Sequence, residues 1–236
     1  MNFAELDYQR TALGELILQR RCALELDGRE VFEVKLNSEY LMSSLFVEGE
    51  VALARLGLAA LTGEGWDVVV GGLGLGYTAA TALDDDRVAR LTVVEALAPV
   101  IGWHQRGLVP NGARLSADAR CRYALGDFFA LARGGGFDPA EPGPRFDAIL
   151  LDIDHTPEAL LNPSHADFYS EEGLTRLRAF LKPGGVFALW SNEVPDKDFL
   201  SLLSRVFDQA EGHVVEFENP IQGRTATNGV YVAKVR

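Results

Sequence analysis

Two short stretches hold the residues best suited to chemistry. The first is Gly72-Leu73-Gly74-Leu75-Gly76, which follows the apolar run Val68-Val69-Val70 and precedes Tyr77-Thr78-Ala79-Ala80. A glycine turn between a buried strand and a helix lets the backbone turn tightly and approach a ligand closely. The second is Leu151-Asp152-Ile153-Asp154-His155, where two carboxylates leave the end of another apolar run. Neighbouring carboxylates there can hold a cationic amine, and one can accept its proton as the nitrogen attacks. Asp152 and Asp154 are therefore the candidate catalytic residues. The plainer alternative is that Asp152 caps a loop and Asp154 is solvated.

Three further acids and a glycine extend this set. Glu95 ends the next apolar run about 19 residues after Gly76, where a carboxylate can accept both hydroxyl hydrogens of a ribose. It can also simply cap the helix that comes next. Gly126-Asp127 closes a third run; Asp127 can accept from an adenine amino group, cap a helix, or do both. Asn192 and Glu193 follow Trp190-Ser191, and Glu193 is a candidate to complete an acidic substrate pocket. His104, His155 and His165 can act as acid or base, although lone histidines in such places are more often structural. The spacing Gly-x-Gly-x-Gly departs from the dinucleotide pattern Gly-x-Gly-x-x-Gly, and no basic residue follows in the first helical turn to meet a pyrophosphate. A nucleoside without phosphates, bearing a sulfonium, fits better. Gly72, Gly74, Gly76, Glu95, Gly126, Asp127 and Asp152 are the expected adenosyl contacts.

These residues need a scaffold that brings strand ends together, and the pattern of the chain supplies one. Apolar runs at residues 66–70, 90–94, 121–125, 146–151 and 186–190 alternate with helical patterns at 77–83, 98–106, 127–132 and 171–181. That alternation implies an α/β fold with a Rossmann-like core whose parallel sheet is covered on both faces. A helix at 199–206 and strands at 213–217 and 229–233 with no helix between them predict an antiparallel C-terminal edge. Upstream, segments at 14–20, 23–26, 31–36 and 40–46 flank the turn pair Asp27-Gly28, a hairpin signal. Residues 1–46 are thus expected to form a small antiparallel β-domain and residues 47–236 the adenosyl-binding domain, opening with a helix over 48–61. Gly134-Gly135-Gly136 and residues 139–144 read as loop.

Composition narrows the partners. With 34 acidic and 22 basic residues the formal charge is −12, which argues against nucleic acid and is compatible with a cationic small-molecule substrate. The same charge also serves solubility alone. No apolar run is long enough for a membrane span, and the acidic first residues lack the layout of a secretion signal. Cys22 and Cys121 have no metal-like spacing, so no metal is expected. A cytoplasmic enzyme is expected, with a homodimer formed through exposed strand edges of the N-terminal element as its assembly.

Taken together, Val69–Thr78, Thr92–Glu95, Leu125–Asp127, Phe146–Asp152 and Phe168–Leu189 resemble the spermidine synthase (polyamine aminopropyltransferase) family on a class I S-adenosylmethionine-dependent methyltransferase fold. The stretch Phe168-Tyr169-Ser170-Glu171-Glu172-Gly173-Leu174, leading to Leu181-Lys182-Pro183-Gly184-Gly185, carries much of the likeness. The resemblance implies decarboxylated S-adenosylmethionine or S-adenosylmethionine as cofactor, Glu95 on the ribose, Asp127 on the adenine and Asp152 as general base. Two departures stand out. The family's turn usually contains an aspartate, and a gapless match puts Gly74 there; its Tyr-His-Glu stretch is replaced by Val51-Ala52-Leu53-Ala54-Arg55, with Glu48 and Glu50 just upstream. Three activities stay open: aminopropyl transfer to an amine with release of methylthioadenosine, methyl transfer, and non-catalytic binding of an adenosyl ligand.

Overall fold

A computed structural model describes residues 3–23, 26–37, 39–137 and 145–236. The loop expected at 139–144 lies outside the described residues.

The core is a seven-stranded sheet. Its strands are β5 (Trp66–Gly71), β6 (Val88–Glu95), β7 (Cys121–Leu125), β8 (Phe146–Leu151), β9 (Leu181–Ser191), β10 (Gln209–Asn219) and β11 (Arg224–Lys234), in the order β10-β11-β9-β8-β5-β6-β7. Strands β5 to β9 run parallel, while β11 pairs antiparallel with both β9 and β10. Successive side chains on the inner strands point to opposite faces, so each strand feeds two cores. Val68 and Val70 join one cluster while Val69 joins the other; Ala148 and Leu150 are likewise divided from Ile149 and Leu151. One face is covered by α1 (Glu48–Ala59), α2 (Tyr77–Ala82) and α3 (Ala98–Gln105), the other by α5 (Phe128–Arg133), α6 (Glu171–Arg178) and α7 (Lys197–Val206). Helix α4 (Gly112–Ala117) sits beside α3. Among the described residues no helix is long and apolar enough to cross a membrane.

The N-terminal strands β1 (Phe3–Thr11), β2 (Gly14–Ala23), β3 (Arg29–Leu36) and β4 (Glu39–Ser43) form an antiparallel meander. Asp27 and Gly28, in the connection between β2 and β3, both take positive φ (53° and 77°); part of the strand expected at 23–26 lies outside the described residues. The meander packs onto the core through Leu16, Leu18 and Val34, which share a cluster with Leu73, Leu75 and Trp103. Asp7 on β1 adds a polar tie, accepting from Trp103 Nε1 at 2.6 Å and pairing with Arg106 at 2.8 Å.

Several elements differ from the sequence expectation. Strand β1 has a mostly half-exposed, polar-rich pattern that carries little strand signal of its own; pairing with β2 along its length makes it a strand. Helix α4 is only six residues long, too short for a periodic signal. Strand β9 begins at Leu181 and runs through Pro183 and Gly184, where a register shift against β8 accommodates both.

Candidate active site

The sheet reverses its winding between β5 and β8: β6 and β7 build outward from one side of β5, and β8 and β9 from the other. At such a switch point the loops leaving adjacent strands diverge and open a crevice at the carboxyl edge. A cleft of about 1060 Å³ lies there, roofed by residues of the N-terminal meander. It is large enough for a nucleoside ligand and a second small molecule together.

The glycine turn forms its floor. Gly72, Gly74 and Gly76 take φ of 94°, 50° and 85°. At Gly72 a Cβ would sit 2.1 Å from the Asp152 backbone oxygen, so glycine is required both for the conformation and for the close passage of the β8 loop. The turn is held from behind: His104 Nε2 lies 2.9 Å from the Gly74 carbonyl and Asn111 Nδ2 donates to the Leu75 carbonyl at 3.0 Å. Burial keeps the His104 imidazole below its usual pKa, hence neutral, with Nε2–H donating to that carbonyl. The sequence marks His104 as a possible acid or base, and here it serves the turn's structure; no pattern marks Asn111.

Glu95 stands at the end of β6 beside the turn. Its carboxylate accepts from Leu73 N at 3.1 Å and Leu97 N at 2.8 Å, one bond to each oxygen. Burial raises its pKa, opposed by these backbone N–H groups. The N–H groups of Gly74 and Ala96 also act on this carboxylate, which the surrounding backbone therefore holds in place at the cleft. Asp127 is the N-cap of α5, with Oδ1 accepting from Phe129 N at 2.9 Å and Ala130 N at 3.1 Å. It lines the cleft next to Gly126, so capping and facing the cleft coexist in one side chain.

Asp152 leaves β8 into the middle of the cleft, where Thr78 Oγ1 donates to its Oδ2 at 2.7 Å. Burial pushes its pKa up to about 6. Facing it is Glu50, in the first turn of α1, whose pKa is raised to about 8 by burial and then by the neighbouring Asp152 charge. In the sequence Glu50 stands out only as an acid upstream of the altered Tyr-His-Glu stretch, with no role attached. A signal for it exists: Glu50 stands three, four and seven residues before the buried Leu53, Ala54 and Gly57, on the apolar stripe of its helix. Tyr77 and Trp190 line the same part of the cleft, and Met42 Sδ would lie 2.7 Å from a Cβ at Gly74.

Two expected residues do not join this group. Asp154 is 1% exposed and turned into the protein. It accepts from Leu161 N at 2.8 Å and Tyr169 Oη at 3.0 Å, and lies 2.9 Å from His165 Nδ1. With its carboxylate spent on these partners it has no face toward the cleft, contrary to the expectation that it binds substrate or acts in catalysis. Glu193 is exposed in the β9–α7 loop and does not line the cleft, contrary to the expectation that it completes an acidic pocket; the acid beside Asp152 is Glu50.

No protein-family model matches the chain, and no curated protein sequence matches it. Solved structures do. The spermidine synthase of Thermotoga maritima superposes with a TM-score of 0.72 at 17% identity, over 98% of this chain and 72% of that one. A spermidine synthase in complex with the transition-state analogue AdoDATO gives 0.73 at 17% identity, over 98% and 73%. Human methyltransferase-like protein 13 in complex with SAH gives 0.52 at 20% identity, over 80% of each chain. The chain therefore has the class I methyltransferase fold. Its similarity to the two spermidine synthases extends over almost its whole length, including the N-terminal meander.

Proposed function

We propose that this chain is an aminopropyltransferase of the spermidine synthase type, moving an aminopropyl group from decarboxylated S-adenosylmethionine to a small amine and releasing methylthioadenosine. The observation that carries this reading is the Glu50–Asp152 carboxyl pair at the switch point, set beside the glycine turn and steadied by Thr78. The likeness in fold to spermidine synthases supports it.

The residues present fit an adenosyl ligand. Gly72, Gly74 and Gly76 allow close approach, Glu95 offers acceptors for the ribose, and Gly126 with Asp127 borders the adenine end. When bound, the sulfonium supplies an activated carbon with a neutral thioether as leaving group. The chain's own work is on the amine. An ammonium entering between Glu50 and Asp152 meets two carboxyl groups where burial disfavours charge, and its positive charge lowers the pKa of Glu50, whose proton passes to solvent. Asp152, with a pKa near 6, is suited to take a proton from that ammonium and so free the nitrogen lone pair for attack. That Asp152 lines the crevice supports a catalytic reading over non-catalytic binding.

Methyl transfer is the second reading, and one observation favours it. The glycine turn holds no acid for an aminopropyl amine, and the Met42 thioether covers Gly74, the place where the family's aspartate is expected. Incubation with decarboxylated and ordinary S-adenosylmethionine and a panel of diamines, with mass spectrometry of the nucleoside released, separates the two. Methylthioadenosine supports aminopropyl transfer; S-adenosylhomocysteine alone refutes it and selects methyl transfer.

A further inference from the structure

The buried group that takes Asp154 away from the amine site leads to a second role. His165 is 9% exposed and lines the cleft. Its Nδ1 lies 2.9 and 3.0 Å from the two Asp154 oxygens, and Tyr169 Oη donates to the same carboxylate. A carboxylate can only accept, so Nδ1 carries the hydrogen, and neutral imidazole then holds a bare lone pair at Nε2. Among the described residues nothing bonds Nε2, yet it is not sealed off: the buried polar atoms without partners are His104 Nδ1 and Trp190 Nε1 only. Nε2, on a residue that lines the cleft, is thus the acceptor nitrogen of the neutral ring, with the tautomer set from behind by Asp154.

Its place in the cleft is fixed by Phe129. That residue's ring stacks on His165 with centroids 3.8 Å apart and planes at 20°, while its backbone N–H bonds Asp127. His165 therefore stands beside the Asp127 cap, which the proposed reading places at the adenine end of the cleft.

We infer that His165, held by Asp154 in the tautomer with Nε2 unprotonated, is a specificity-determining residue that accepts a hydrogen from the exocyclic amine of a bound purine and rejects 6-oxo purines. This rests on the adenosyl-binding reading above. A 6-oxo group would set a carbonyl lone pair against the Nε2 lone pair with no hydrogen between them, and sites built around a hydrogen bond discriminate strongly against ligands that cannot make it. Asp154 is then a positioning residue, which accounts for a fully buried carboxylate with three partners next to a ligand cleft.

The test is calorimetric binding of methylthioadenosine and methylthioinosine at pH 8 to the full chain and to His165→Phe and His165→Gln. The native chain should favour the 6-amino nucleoside by tenfold or more. His165→Phe should weaken the amino ligand and narrow that preference severalfold, the remainder being what Asp127 holds. His165→Gln carries an amide that can turn to donate, so it should bind the 6-oxo nucleoside more tightly than the native chain does, a gain that misfolding cannot imitate. An amino-to-oxo ratio left unchanged by both variants would overturn the assignment while leaving adenosyl binding intact. If the native chain bound neither nucleoside, the adenosyl reading itself would fall, and this assignment with it.

Discussion

Replacing Glu50 by Gln should change how stability depends on pH, and the structure sets both sign and size. Burial and the adjacent Asp152 charge raise the folded-state pKa of Glu50 from 4.5 to about 8. Below about pH 4.5 the carboxyl is protonated whether the chain is folded or not, and it costs nothing. Between about pH 4.5 and 8 the unfolded chain releases this proton while the folded chain keeps it, so stability falls as pH rises. The slope approaches about 1.4 kcal/mol per pH unit, and the accumulated loss is on the order of a few kcal/mol. Above about pH 8 both states are ionised and the slope vanishes. Glutamine removes this term, so the stability of Glu50→Gln minus that of the native chain should climb from pH 5 to 8 and then level off. Urea unfolding at pH 5, 6, 7, 8 and 9 measures the difference directly. A difference that stays flat across this range would mean that Glu50 ionises as freely folded as unfolded. The account of the carboxyl pair as a desolvated receptor for a cation would then fail. A bound diamine should reverse the native trend, because a cation between the carboxyls stabilises the ionised form.

Three other perturbations test separate parts of the site. Asp152→Asn should leave nucleoside affinity within a few-fold and reduce turnover by about 10²-fold or more, as expected for loss of a proton acceptor; undiminished turnover would exclude Asp152 as the base. Gly72→Ala places a Cβ 2.1 Å from the Asp152 backbone oxygen at a φ of 94°, so a loss of at least about 2 kcal/mol is expected, seen as a lowered melting temperature. A melting point matching that of the native chain would show that the β8 loop can withdraw from the turn. Asp127→Ala should cost about 1 kcal/mol by uncapping α5 and also weaken nucleoside binding, whereas Asp127→Asn keeps a capping oxygen and should weaken binding alone. Equal stability losses in both variants would show that Asn fails to restore the cap.

The legible part of the site was the local part. The glycine turn, Glu95 and Asp127 each stand where a strand gives way to a turn or helix, and a strand's carboxyl end faces the crevice whatever the rest of the chain does. Asp152 and Asp154 show where locality ends. Two residues apart, they look equivalent if the strand is imagined to continue, but β8 stops at Leu151 and the period of two stops with it. From there each side chain's direction is decided by its partners. Asp152 meets Thr78, 74 residues away in sequence, while Asp154 is turned inward by Leu161, His165 and Tyr169 downstream. Glu50 was obscured for the opposite reason. Acids are common in first helical turns because they suit the helix dipole, so its type there carried no signal. Its position did, for an acid on the face that buries Leu53 and Ala54 must meet something at the sheet's edge. Its neighbour there is Asp152, set at that edge by a different crossover of the same sheet. Two acids far apart in sequence are thus brought to one edge by separate crossovers, which is why neither the glycine turn nor the β8 loop alone discloses the carboxyl pair.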